Sequence, residues 1–230
     1  MKVIYPRNFE PSRNKIILDY CKWKKVLHIW ACDAPYTKEK YDWKNWKIWP
    51  LLYREIDKVC SEQLWIDLDK EAIEFLNSKS NEFPRSKVIF FDMNKLGELD
   101  YEPDVIVFWE VIEHLMNLEI ALTNIKKVMW KDTLLLISTP NCFYFLNFIN
   151  TLFWFEYLHE DHKVFFSYGY LKNLLKFNGL IEEKFYFTCL DYDKSLLNIK
   201  QKIIRMVYKI MLFFSKWFAW TLFFVVRKKV

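Results

Sequence analysis

Glu110, Glu113 and His114 stand at spacings of three and four residues at the end of an apolar run, PDVIVFWEVIEHL, residues 103–115. Two carboxylates and an imidazole so close together can hold a divalent cation over a reacting hydroxyl, or take and return its proton. Residues 105–108 read as a buried parallel strand, and open α/β sheets gather ligands just beyond the carboxyl ends of such strands. A helix starting near Glu110 would bring the three polar side chains onto one face. The competing reading is a solvated first helical turn, where glutamates are favoured by the helix dipole and His114 simply follows. These residues alone leave both readings open.

The elements that must position them are legible. Five apolar runs, 25–31, 63–68, 87–92, 105–108 and 133–138, alternate with helical patterns such as 69–79 and 118–129. Their length and Val/Ile/Phe content favour strands, and the alternation is the rhythm of βαβ units. Further on, 168–177 reads as a helix closed by Gly179, a natural residue for a left-handed helix end, and 181–188 reads as a strand. An aromatic-rich insertion, 143–160, lies between. The C-terminal part has two readings. Residues 210–226 carry a single charge, Lys216, and approach the length of a short membrane span. Lys216 in mid-span and the β-branched, aromatic ending favour an amphipathic helix over 195–218 followed by a last strand, 219–228. No linker or internal repeat interrupts the chain, so 1–230 reads as one domain.

With 53% hydrophobic and 27% charged residues the chain is globular. Five cysteines without a CxxC pair exclude a disulfide scaffold or structural zinc knot and suit a reducing cytosol. The first residues, MKVIYPRNFEPSRNK, lack the apolar core of a signal peptide, so export is not expected. A net charge of +5 without a clustered stripe is weak evidence for either an anionic membrane or nucleic acid, and no aromatic-plus-basic groove for a single strand is evident. The apolar stretch 196–226 is instead compatible with peripheral contact on the inner face of a membrane. Glycine is the outlier: the chain has 3 glycines and 11 tryptophans, where ordinary usage would give about 16 glycines. Strand-to-helix turns that approach a ligand need that residue.

In order and content these segments resemble the class I S-adenosylmethionine-dependent methyltransferases over nearly the whole chain. The likeness rests on KKVLHIWACDAPYT (24–37), LWIDLDKEAIEFL, VIFFDMN, the EVIEH segment, NIKKVMWKDTLLLISTPN and HKVFFSYGYLKNLLKFNGL together. It implies a Rossmann-like, doubly wound, mostly parallel seven-stranded sheet with helices on both faces, the last strand antiparallel, elaborated by the hydrophobic C-terminal helix. It implies S-adenosylmethionine held by His28, Trp30, Ala31, Cys32 and Asp33 in the first motif. Asp67 and Leu68 would follow at the ribose and adenine, Asp92 and Met93 at the adenine, and Trp109 and Glu110 beyond the fourth strand. His28 departs from the frequent aspartate, and its alternative is a histidine merely buried beneath the sheet end.

Trp30, Trp65, Trp109 and Trp130 fall where the family places glycine. Some genetic codes read UGA as glycine and others as tryptophan, so a gene of the first kind read with the second table produces this pattern; 3 + 11 = 14 is close to the glycine content expected alone. The competing explanation is a methyltransferase-like protein that has lost cofactor binding.

Methyl transfer from a sulfonium depends chiefly on positioning, with a base required only where the acceptor loses a proton. The resemblance to E-x-x-E-H O-methyltransferases makes Glu110, Glu113, His114 and His162 the acceptor-side catalytic set. With His159 as alternate, the same residues form a possible Mg²⁺ or Mn²⁺ ligand set. A metal-free version has His114 as base or positioner. The expected reaction is O-methylation of a small-molecule, glycan or lipid-linked acceptor. A small-RNA 2′-O-methyltransferase is the alternative, suggested by the D-H-K-x-F pattern, and an inactive binding protein on the same fold is a third.

Overall fold

The computed structural model describes residues 4, 6–29, 52–156, 159–189 and 199–229. Within these lie strands β1 (Phe9–Ser12), β2 (Lys25–Ile29), β3 (Glu62–Asp67), β4 (Ser86–Phe90), β5 (Val105–Trp109), β6 (Leu134–Pro140), β7 (Leu180–Cys189) and β8 (Thr221–Lys228). The helices are α1 (Arg13–Cys21), α2 (Leu52–Val59), α3 (Lys70–Ser78), α4 (Leu118–Val128), α5 (Phe145–Leu152), α6 (Tyr168–Phe177) and α7 (Ile199–Phe214). One sheet joins all strands in the order β1-β7-β8-β6-β5-β2-β3-β4. Only β8 runs antiparallel to its neighbours, β6 and β7.

Alternation along the strands builds the two layers. Leu27, Ile29, Ile66, Ile106 and Phe108 face Leu122 and Ile125 of α4, Leu171 and Leu175 of α6 and Leu212 of α7. Val26, Val105, Val107 and Leu136 face Ile16 and Ile17 of α1 and Leu52 and Ile56 of α2. Helices therefore cover both faces, as a doubly wound sheet requires.

The structure departs from the sequence-based expectation in three places. The sheet has eight strands, not seven, because Phe9–Ser12 adds parallel to β7 with Phe9 opposite Phe187. Four residues, FEPS, are too few to show a period, and Pro11 confines such a strand to a sheet edge, where β1 sits. No α-helix starts at Glu110: that residue takes φ 50°, and a 3₁₀ turn over Ile112–His114 follows. Finally, the helix expected over 195–218 stops at Phe214 and a 3₁₀ turn over Lys216–Phe218 follows, whereas the expected last strand is present as Thr221–Lys228, inside the sheet. Among the described residues no helix is long and apolar enough to cross a membrane.

Candidate active site

The site is built on the exit of β5. Glu110 adopts a left-handed backbone that side chains rarely take, and its N–H donates to the Ser138 carbonyl at 3.1 Å. The kink drives Val111 and Ile112 into the core and sends the two glutamates in different directions. Glu110 pairs with buried Arg13 at 2.9 Å. Arg13 in turn lies over the Trp109 ring, 4.9 Å from its centroid. Glu113 is 1% exposed, and its Oε2 accepts from Thr139 Oγ1 at 3.0 Å. Its other oxygen, Oε1, is buried without a hydrogen-bond partner.

A second segment closes over this turn. The N–H groups of Lys163 and Val164 donate to the Glu113 carbonyl at 2.7 and 3.2 Å. His114 Nδ1 lies 3.2 Å from the Asp161 carbonyl. These contacts set the His162 ring edge-on to His114, with centroids 4.8 Å apart, and His159 stacks on His162 at 4.8 Å. The potential ligand atoms of Glu113, His114 and His162 all lie within 4.8 Å of one another. The structure thus gathers three of the four expected residues, places His159 beside them, and assigns Glu110 to Arg13.

Burial disfavours charge in this cluster. Burial, reinforced by the nearby Glu110 charge, pushes the Glu113 carboxyl well above its ordinary range. Burial likewise lowers His114, and lowers His162 to about 4 with help from the neighbouring imidazoles. One carboxyl and two imidazoles this close together are groups that could hold a divalent cation.

Next to the cluster, a cavity of about 220 Å³ opens beyond the ends of β2, β3 and β4, lined by Ile29, Asp67, Leu68, Asp92, Met93 and Met116 among others. Asp67 ends β3 with Oδ1 held by the N–H groups of Leu68 at 2.7 Å and Asp69 at 2.9 Å. Asp92 caps the following turn through the Asn94 N–H at 2.8 Å. An acid at the end of β3 and an apolar slot beside it have the character of a nucleoside-sized pocket.

A family described as a methyltransferase domain matches residues 13–181, most of the chain. The chain belongs to that family. It is a class I S-adenosylmethionine-dependent methyltransferase. No curated protein matches it. Among solved structures it is similar to an S-adenosylmethionine-dependent methyltransferase from Archaeoglobus fulgidus, at 19% identity and TM-score 0.58, over 94% of this chain and 91% of that one. One from Mesorhizobium loti gives 10% identity and TM-score 0.59, over 94% and 95% of the two chains. One from Clostridium acetobutylicum gives 10% and 0.59, over 94% and 91%. At such identities the likeness is one of fold.

Within this methyltransferase, four expected cofactor residues, Asp67, Leu68, Asp92 and Met93, share one cavity wall. Trp30, Ala31, Cys32 and Asp33 lie outside the described residues. His28 is corrected: it points to the opposite sheet face, 1% exposed and edge-on to Trp65 at 6.3 Å, and burial lowers it to about 3. Strand alternation accounts for this, since Ile29 takes the cavity side. Trp109 stands under Arg13 and does not line the cavity. Arg13, Thr139 and the 115–117 wall of the cavity escaped sequence reading. Thr139, inside the family-like STPN segment, carried the one available signal.

Proposed function

We propose that this methyltransferase methylates a hydroxyl of a small, glycan or lipid-linked amphiphilic acceptor, with a divalent cation held by Glu113, His114 and His162. The observation that carries the reading is that a carboxylate oxygen of buried Glu113 and ring nitrogens of His114 and His162 all lie within 4.8 Å of one another, while Glu113 Oε1 is buried without a hydrogen-bond partner. One carboxylate and two imidazoles favour Mn²⁺ or Zn²⁺ over Mg²⁺, which prefers all-oxygen shells.

When bound, S-adenosylmethionine supplies an electrophilic methyl group, and a cation of this kind lowers the pKa of a hydroxyl it touches. Asp67 would accept hydrogen bonds from the ribose hydroxyls, while Leu68 and Met93 would flank the adenine. Thr139 fixes one Glu113 oxygen by donating to it and so holds the carboxyl in place. The Asp161 carbonyl beside His114 Nδ1 favours the tautomer with the proton there, leaving Nε2 as donor to a cation.

That same tautomer supports a metal-free version in which His114 Nε2 takes the acceptor proton. Chelator treatment separates the two. In assays with hydroxylated amphiphiles and radiolabelled S-adenosylmethionine, the cation reading requires activity to vanish with EDTA and return with Mn²⁺ or Zn²⁺. Full activity after exhaustive chelation favours His114 acting alone. Labelling of amines with no labelling of any hydroxyl contradicts the O-methylation reading.

A further inference from the structure

We infer that α5 and α7 form a docking face for an anionic lipid bilayer, which brings the active site to acceptors held in that surface; this rests on the amphiphilic-acceptor reading above. Helix α7 is apolar on two sides. Tyr208 and Leu212 turn inward, while Met206, Ile210, Phe213 and Phe214 are exposed on the opposite face, Phe213 by 81% and Phe214 by 77%. Lys202 and Lys209, one heptad apart, border that exposed stripe. Contacts of Phe145 and Phe148 with Phe218, at 5.9 and 6.0 Å, join α5 to the turn after α7, and Phe148 and Leu152 extend the apolar surface.

Charge selects the occupant. Residues 199–218, which form α7 and the turn after it, contain five lysines or arginines and no aspartate or glutamate, and α5 carries no charged residue. An apolar stripe edged by lysines is the arrangement that inserts between headgroups while its cations meet anionic lipid. A protein partner is less well matched, since interface cores are depleted of lysine. The face also connects to the chemistry. Asn141, just beyond β6, donates to the carbonyls of Trp217 at 2.6 Å and Ala219 at 2.9 Å, two residues from the Thr139 that holds Glu113.

Co-sedimentation with vesicles tests this. The full chain is expected to pellet with phosphatidylcholine–phosphatidylglycerol vesicles, much less with phosphatidylcholine alone, and less as salt rises. Lys202→Glu with Lys209→Glu should weaken binding about tenfold or more, and Phe213→Ser with Phe214→Ser should abolish it, both with unchanged S-adenosylmethionine affinity. Absence of vesicle binding overturns the proposal. So does a dimer in solution that Phe213→Ser with Phe214→Ser dissociates, because a second copy then covers the face. Vesicle binding by a protein that methylates no hydroxyl leaves the docking face standing and removes only the reaction assigned to it.

A separate observation supports a second proposal: Trp23 and Trp154 occupy glycine positions, and we infer that the gene encodes glycine there. Three described helices end in a left-handed residue: α1 at Trp23 (φ 61°), α5 at Trp154 (φ 64°) and α6 at Gly179 (φ 69°). Around Trp154 the capping bonds are complete, from its own N–H to Thr151 and from Phe155 to Asn150, both 3.2 Å. This is the motif that selects glycine, and tryptophan is the bulkiest residue that could occupy it. Neither ring offsets the strain by burial, since Trp154 is 97% exposed and Trp23 69%. Trp65 differs: it packs against Tyr53 and Phe83 without unusual φ, so its case rests on the motif alone.

The codons and the mass of the native protein's peptides decide this. UGA at positions 23 and 154 with glycine in the peptides is expected, and Trp23→Gly and Trp154→Gly should each raise the unfolding midpoint of the expressed chain by about 3 °C. UGG codons, or tryptophan in the native peptides, overturn it.

Discussion

The Lys163 N–H donates to the Glu113 carbonyl at 2.7 Å, and this backbone bond holds the two halves of the candidate metal site together. It fastens the histidine-bearing segment to the turn after β5 before any ligand is present.

Removing that donor should therefore loosen the site while sparing the cofactor cavity. Lys163→Pro is expected to reduce Mn²⁺ affinity about 10–100-fold and leave S-adenosylmethionine affinity unchanged by calorimetry. Equal loss of both would indicate a general folding defect.

Burial and the charge on Glu110 raise the Glu113 carboxyl well above its ordinary range, so a cation bound there would compete with a proton. Calorimetric titration of Mn²⁺, in buffers of different ionisation enthalpy, should show proton release that grows as pH falls. Glu113→Gln should bind weakly and release none. Binding without buffer-dependent heat would mean that Glu113 is not a ligand.

Asp67 carries the ribose assignment. Asp67→Ala should raise the S-adenosylmethionine Kd about 10–100-fold, the value of losing a charged hydrogen-bond acceptor. A control at the exposed residue Glu74 should do nothing.

His28 should make the fold acid-sensitive. Its folded pKa is lowered to about 3 from the ordinary 6.5, so below pH 6.5 the unfolded chain takes up a proton that the folded chain refuses. Its contribution is fully present above pH 6.5 and declines as pH falls toward 3, at about 1.4 kcal/mol per pH unit. Relative to His28→Leu, the native protein should lose about 2 kcal/mol between pH 7 and pH 5 in urea unfolding. Parallel pH profiles would remove His28 from this role.

The strands were legible because Val/Ile/Phe runs between helical patterns have few other solutions, and 63–68 and 105–108 map onto β3 and β5 within a residue or two. β1 was not, because four edge residues carry no period. The site was half legible. Glu113, His114 and His162 do come together in space, but the spacing that puts Glu110 with them assumes helix. A single left-handed residue breaks that geometry, and local sequence gives no warning when the residue is glutamate. Arg13 could not be anticipated, since its partner lies 97 positions away in the chain.

Calorimetric titration with S-adenosylmethionine tests the central claim, that this fold holds the cofactor against Asp67 and Asp92. It should be run on the chain with tryptophan at 30, 65, 109 and 130 and on one with glycine there, each with and without Asp67→Ala. The account predicts saturable binding by the glycine form, weakened by Asp67→Ala. A folded glycine form that shows no binding, or binding indifferent to Asp67, would contradict it.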